Sequence, residues 1–339
     1  MNNFKILFMG TPEFARVSLE ELIKNDYNVV GVVTQTDKPA GRKMILTPSA
    51  VKEYAVSKNI PVYQPKTLKG DDFFNLLKEI APDIIVVAAY GKIVPKNVLD
   101  YPKYGCINVH GSLLPKYRGA APINAAIING EKVTGITIIY MDESIDTGDM
   151  ILKEFIEIGE NETFGELHDK LAQIGGKLLI EALRQIADGT VKREKQPEDG
   201  ASYMGKIDDS MCEIDWNSTA EEIHNKIRGL SPTPAAFTWL NGKKLKIYKS
   251  RIFEDYYGAE DIYNKNNGEV VDFYVKNKTI TVKTGDDRRY DDPDCGYIHS
   301  DCGNIIEILE LQSEGGKIMS AKDFINGRKI EKGTILGGK

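Results

Sequence analysis

Over residues 5 to about 190 the chain alternates short apolar runs with stretches of helical periodicity, and nothing else in it restricts the fold as much. Residues 5–9 are apolar and open into Gly10-Thr11-Pro12, after which 13–24 repeats apolar positions at helical spacing. Residues 28–34 and 84–89 are apolar without alternation, as strands buried on both faces must be. A long helical stretch, 164–187, ends at Gly189. Strands and helices in this order predict a parallel sheet covered by helices. Positions 10–15 read Gly-Thr-Pro-Glu-Phe-Ala rather than Gly-x-Gly-x-x-Gly, so a nicotinamide cofactor is not expected.

The pattern then changes. Residues 190–205 are polar and mixed, 220–229 has helical periodicity, and Pro232-Thr233-Pro234 breaks it. Short β runs follow at 244–248, 268–274, 279–283 and 305–311, the spacing of a small barrel or sandwich. The expected organisation is a first domain over 1–190, a linker over 191–206 and a smaller domain over 207–335. Residues 286–303 read as a surface hairpin extension. The 339 residues suffice for two buried cores. The longest apolar run, 84–89, is far too short for a membrane span, and the N-terminus lacks a leader pattern. The four cysteines form no Cys-x-x-Cys pair and no metal spacing with histidine. No membrane and no metal are therefore expected, and Cys106 reads as a small buried residue in a reducing, cytoplasmic setting.

Chemistry concentrates at Asn108-Val109-His110-Gly111-Ser112-Leu113-Leu114-Pro115. In an extended strand Asn108 and His110 share a face, and an amide beside an imidazole can hold a carbonyl oxygen as it becomes an oxyanion. A helix-like run (121–129) and an apolar strand (135–141) lead to an acidic loop holding Asp142, Glu143, Asp146 and Asp149. If the two strands end at one edge of a parallel sheet, where ligands bind in such folds, the loop meets Asn108 and His110. The pattern does not say which acid matters.

Two basic segments bear on partners. Between Thr34 and Ala50 lies a long loop whose prolines and Gly41 exclude a helix, with Lys38, Arg42 and Lys43 supplying charge. Residues 238–251 carry Lys243, Lys244, Lys246, Lys249 and Arg251 with no acid, which in a hairpin forms a cationic ridge. The formal net charge of −6 does not exclude nucleic acid, because local surfaces hold it.

Met9-Gly10-Thr11-Pro12-Glu13-Phe14-Ala15, the 108–122 string and Asp146-Thr147-Gly148-Asp149-Met150 together resemble the methionyl-tRNA formyltransferases, a family of folate-dependent enzymes. Further matches are Ile214-Asp215-Trp216, Ile227-Arg228, Ala236-Phe237-Thr238 and Met319-Ser320-Ala321-Lys322-Asp323-Phe324, so the likeness runs nearly end to end. It implies a Rossmann-like α/β domain followed by an OB-like β-barrel, and formyl transfer from 10-formyltetrahydrofolate to the amine of methionyl-initiator tRNA by a cytoplasmic monomer. It implies Asn108, His110 and Asp146 as catalytic residues, with Asp146 chosen among the acids. It places folate beside Ser112, Leu113, Leu114, Pro115, Tyr90 and Gly91. Contacts to tRNA are implied for Lys38, Arg42 and Lys43, and for Lys206, Lys243, Lys244, Lys246 and Lys249. The chain departs from the family at Met44-Ile45-Leu46, Asp208-Asp209 and Thr233, where more basic or aromatic residues are usual. Sugar-amine formyltransferases and formyltetrahydrofolate hydrolases share the Asn-x-His core and remain alternatives.

Overall fold

The computed structural model describes residues 4–40, 44–253, 264–274, 279–285, 305–327 and 329–338. The predicted extension at 286–303 lies outside them, as do Arg42 and Lys43. The chain forms two compact units: Met1–Ile123 with Val133–Glu157 and Leu167–Lys206, and Asn124–Lys132 with Ile158–Glu166 and Ile207–Lys339.

The first unit contains β1 (Ile6–Gly10), β2 (Val29–Val33), β3 (Lys38–Ala40), β4 (Ile45–Thr47), β5 (Val62–Tyr63), β6 (Ile84–Ala88), β7 (Cys106–His110), β8 (Arg118–Gly119), β9 (Val133–Tyr140), β10 (Met150–Glu157) and β11 (Tyr203–Met204). Seven of them make one sheet in the order β10-β9-β7-β6-β1-β2-β5. From β7 through β5 all neighbours are parallel, whereas β9 runs antiparallel to both β7 and β10. Strands β1 and β6 are buried at every position, so each reads as an unbroken apolar run. Their alternate residues Leu7, Met9, Ile85 and Val87 pack with Phe73 and Leu77 of the helix Asp71–Ile80. Each such fully buried side chain contributes roughly 1.5–3 kcal/mol. Strand β7 is equally buried yet includes Asn108 and His110, and polar groups in that position need partners.

The segment after β2 differs from its prediction. Rather than an irregular loop, β3 and β4 pair as a short antiparallel hairpin, with Lys38 opposite Thr47. Its base is closed by the hydroxyls of Thr34 and Ser49, 2.7 Å apart, and by Lys52 on Asp37 at 2.7 Å. That ammonium holds the Asp37 carboxyl below its ordinary value.

The second unit carries β12 (Ala236–Leu240), β13 (Lys243–Ile252), β14 (Val270–Tyr274), β15 (Thr279–Lys283), β16 (Ile305–Ser313) and β17 (Met319–Ser320). They form an antiparallel sheet in the order β12-β13-β16-β15-β14, with β17 on β16. Asn241 and Gly242 join β12 to β13 with φ of 51° and 74°, the positive pair that a two-residue turn of matching twist requires. Leu245, Ile247, Ile280, Val282, Ile306 and Ile308 form the core with Ile223 and Ile227 of the helix Ala220–Leu230. A capping box, Thr219 with Glu222, starts that helix and stabilises it by about 1 kcal/mol. Trp216 closes the cluster and donates its Nε1–H to Thr238 Oγ1 at 2.9 Å. Among the described residues, no helix is long and apolar enough to cross a membrane.

One buried titratable group in this unit has a stability consequence. His224 contacts Ser250 Oγ at 3.0 Å through Nδ1 and the Glu160 carbonyl at 3.1 Å through Nε2. Burial lowers its pKa, helped by Arg228, against the opposing pull of the Glu160 carbonyl. The unfolded chain therefore takes up a proton more readily, and folding stability falls as pH drops below the ordinary histidine value. The melting temperature should fall by a few degrees from about pH 7.5 to about pH 5. Thermal melts of His224→Gln should show a flatter profile across the same range; an unchanged slope would remove His224 as its source.

Candidate active site

Strand alternation puts Asn108 and His110 on one face of β7, but Asp146 reaches them by a different route from the one expected. β9 runs antiparallel to β7, with Asn108 opposite Ile139 and His110 opposite Thr137. The end of β9 therefore lies at the start of β7, where Met141 N–H donates to the Cys106 carbonyl at 2.8 Å. The two strands share no carboxyl edge. Residues 142–149 instead fold back, and Asp146 Oδ1 accepts from Asn108 Nδ2 at 3.3 Å while Oδ2 lies 3.5 Å from His110 Nδ1.

The segment 117–119 completes this arrangement, and the sequence reading missed it. The Tyr117 carbonyl is 3.0 Å from His110 Nε2, and Gly119 N–H donates to Asp146 Oδ2 at 2.9 Å. A carbonyl only accepts, so the hydrogen of His110 Nε2 is committed to Tyr117. Nδ1 then faces the Asp146 carboxylate. This departs from the reading in which His110 and Asn108 both point donors at an oxyanion; the Asn108 amide is the group with a second hydrogen to give. Tyr117 and Asp146 both have positive φ, 59° and 54°, a conformation that is uncommon outside glycine and concentrates at functional sites. In the sequence, only the Arg118-Gly119 step after a proline-rich turn hinted at this.

The residues expected beside folate have mixed placements. Ser112 is fully buried and donates to the Lys116 carbonyl at 2.6 Å. Leu114 is buried too, with its N–H given to Thr137 Oγ1 at 3.1 Å and its carbonyl taken by Lys153 Nζ at 2.8 Å. That main-chain amide is therefore not offered to a ligand. Leu113 and Pro115 are half-buried. The Tyr90 ring packs in the apolar cluster with Leu77 and Val94, and burial pushes its hydroxyl up to about 12. Its carbonyl accepts from Thr11 Oγ1 and Gln35 Nε2, and Gly91 beside it is exposed. Burial likewise pushes the Cys106 thiol up to about 12, so it is no nucleophile at neutral pH.

Of the basic candidates, Lys38 and Lys206 are exposed, and Arg42 and Lys43 lie outside the described residues. The ridge at 243–251 is not free of acids once folded. Lys244 pairs with Asp209 at 2.6 Å, Lys249 with Glu310 at 3.5 Å, and Arg251 with Glu307. Lys246 donates to the Pro234 carbonyl at 2.9 Å, and Lys243 is exposed. The partners come from other strands and turns, so a local charge count missed them. Among the described residues no cluster of His, Cys, Asp and Glu is arranged to hold a metal ion.

A family model described as formyl transferase matches residues 3–183, and one described as its C-terminal domain matches 206–329. A methionyl-tRNA formyltransferase of Acetivibrio thermocellus is 45% identical over 334 residues, covering 98% of this chain and 99% of that protein. The Bacillus subtilis methionyl-tRNA formyltransferase is 44% identical over 333 residues, covering 98% of each. An N-formyltransferase of Helicobacter canadensis, solved with folinic acid and dTDP-3-aminofucose, shares the fold at a TM-score of 0.64 and 23% identity, over 90% of this chain and 98% of that one. End-to-end identity at this level, across both units, means that the chain belongs to the methionyl-tRNA formyltransferase family.

Proposed function

We propose that the chain transfers the formyl group of 10-formyltetrahydrofolate to the α-amine of methionyl-initiator tRNA, in the cytoplasm and as a monomer. The observation that carries this is the meeting of Asn108, His110 and Asp146 in a chain about 45% identical to such enzymes over nearly its whole length. An α-amino group has a reference pKa of ~7.7–8.0, so a useful fraction is neutral near pH 7 and attacks without an enzyme nucleophile. The new N–C bond forms at the formyl carbon, and the bond from that carbon to the folate nitrogen breaks. Asn108 Nδ2 donates to the oxygen as it gains charge, a contribution of roughly 2.7–4 kcal/mol for one such donor. His110, oriented by the Tyr117 carbonyl, presents Nδ1 toward the same centre and Asp146. Asp146 takes the amine proton directly or through water, while the folate nitrogen gains one on leaving.

The turns at Ser112, Leu113, Leu114 and Pro115 and at Tyr90 and Gly91 supply the folate wall, mainly through apolar surface rather than the Leu114 amide. Residues 1–190 act as the catalytic domain, with 191–206 attached to the same unit, and 207–335 act as an OB-like tRNA-contacting domain. Lys38, Arg42, Lys43, Lys206 and Lys243 meet tRNA phosphates directly. Lys244, Lys246 and Lys249 do so by exchanging their present partners.

The test is formyl transfer to methionyl-initiator tRNA beside uncharged tRNA and a 4-amino nucleotide sugar. Formyl-methionyl-tRNA alone is the expected product. Transfer to the sugar, or free formate in every tube, would assign the site to another acceptor. The apparent tRNA affinity should also fall by about 10³–10⁵ from about 50 to about 200 mM salt if six to ten phosphates are held, and a flat response would remove tRNA as the substrate.

A further inference from the structure

Residues 191–206 run back along the first unit instead of leaving it. Glu194 forms a bridge with Met150, and β11 pairs in parallel with β8. Between these two attachments stands Gln196. Its Nε2 donates to the Asp146 carbonyl at 2.7 Å and to the Gly148 carbonyl at 2.9 Å. Its Oε1 accepts from Arg118 Nε at 3.0 Å. Arg118 is 1% exposed and is itself steered by Tyr203, whose hydroxyl accepts from Nη1 at 3.0 Å. A guanidinium has donors only, so it can meet Gln196 only through Oε1, and the amide nitrogen must then face the two carbonyls. The orientation of this amide follows from chemistry.

What it grips is the backbone of Asp146, which holds φ at 54°. An aspartate leaves that region easily unless its surroundings oppose the change. The Asp146 carboxylate is spread over Asn108, His110 and Gly119 N–H, so a backbone rotation would withdraw it from all three. Arg118 sits directly between Tyr117, which orients His110, and Gly119, which holds Asp146.

We propose that Gln196, held by Arg118, is a positioning residue that keeps Asp146 in its left-handed conformation and its carboxylate on Asn108 and His110. The inference rests on the proposed role of Asp146 and adds a residue outside the 108–122 string. Two variants of the full chain test it, with kcat, both KM values and thermal melting measured for each. Gln196→Ala should lower kcat by about 10- to 100-fold, as a misplacement near 1 Å does, with KM and melting temperature little changed. Gln196→Glu has the same size and still accepts from Arg118, but turns an acceptor toward two carbonyls; it should lose as much. A packing role would tolerate it.

In an Asp146→Ala background, Gln196→Ala should add less than about a twofold loss, since the two act through one contact. Full kcat in either single variant, or undiminished loss in the Asp146→Ala background, would overturn the proposal. Full activity of Asp146→Ala alone would instead overturn the catalytic reading beneath it, so the two failures are distinguishable.

Discussion

Asp146→Ala is expected to lower turnover by about 10²–10⁴, the range for losing a positioned proton acceptor, while the KM for tRNA changes little. The carboxylate is shared by three neighbours, Asn108, His110 and Gly119 N–H. Its removal leaves Asn108 Nδ2 and Gly119 N–H without their acceptor and His110 Nδ1 without its facing charge. Folding should still tolerate the change, because the Asp146 side chain is partly exposed and the 142–149 loop stays held by Tyr140 N–H on the Asp149 carbonyl and by Gln196 on the Asp146 and Gly148 carbonyls. Asn108→Ala should cost about 10²–10³ in kcat by removing the oxyanion donor, and the double variant should lose less than the product of the two. Steady-state kinetics with saturating folate donor would decide this. A raised KM for tRNA with kcat intact would mean that Asp146 binds substrate rather than serving the chemical step.

Gly119→Ala should combine a stability loss with a turnover loss of comparable size to Asn108→Ala. Gly119 has φ of 112°, a region that side chains rarely enter, and a Cβ there would lie 2.3 Å from the Met204 carbonyl. That neighbour is backbone, so the conflict cannot be relieved by a rotamer change. The β8–β11 pair must part, and its Arg118 N–H to Ser202 carbonyl bond at 2.8 Å and Ala120 N–H to Met204 carbonyl bond at 2.8 Å weaken with it. The strained backbone alone costs about 1–3 kcal/mol. Because Gly119 N–H also holds Asp146 Oδ2, the same movement disturbs the carboxylate. The expected signature is a melting temperature lower by several degrees together with a fall in kcat of about 100-fold at temperatures where the variant is folded. A stable variant with full activity would show that the backbone at 119 is free to move without consequence.

The β3–β4 hairpin shows one limit of reading a sequence locally. Its prolines and glycine predict no helix, and the described residues on either side form strands, but the pairing of Lys38 with Thr47 depends on how Thr34, Ser49 and Lys52 close its base. The lysines of β13 show another. Across 238–251 there is no acid to be seen, yet Asp209, Glu307 and Glu310 stand opposite because β13 pairs with β16 and a turn near 209 lies alongside.

By itself the sequence determined β1, β2, β6 and the helices beginning at Glu13, Phe164 and Ala220, since burial on both faces demands unbroken apolar runs and a helix demands its own period. It also determined that Asn108 and His110 share a face, because alternate residues in any strand do. Only the tertiary structure decided that β9 is antiparallel to β7, so that Asp146 arrives by a loop folded back over the strand. Only it decided that Tyr117 meets His110 and that Gly119 and Gln196 meet Asp146. Strand periodicity is a property of neighbouring residues, whereas the contacts of Gly119 and Gln196 with Asp146 join residues 27 and 50 apart, and Tyr117 returns to His110 through an irregular turn seven residues on that carries no strand period.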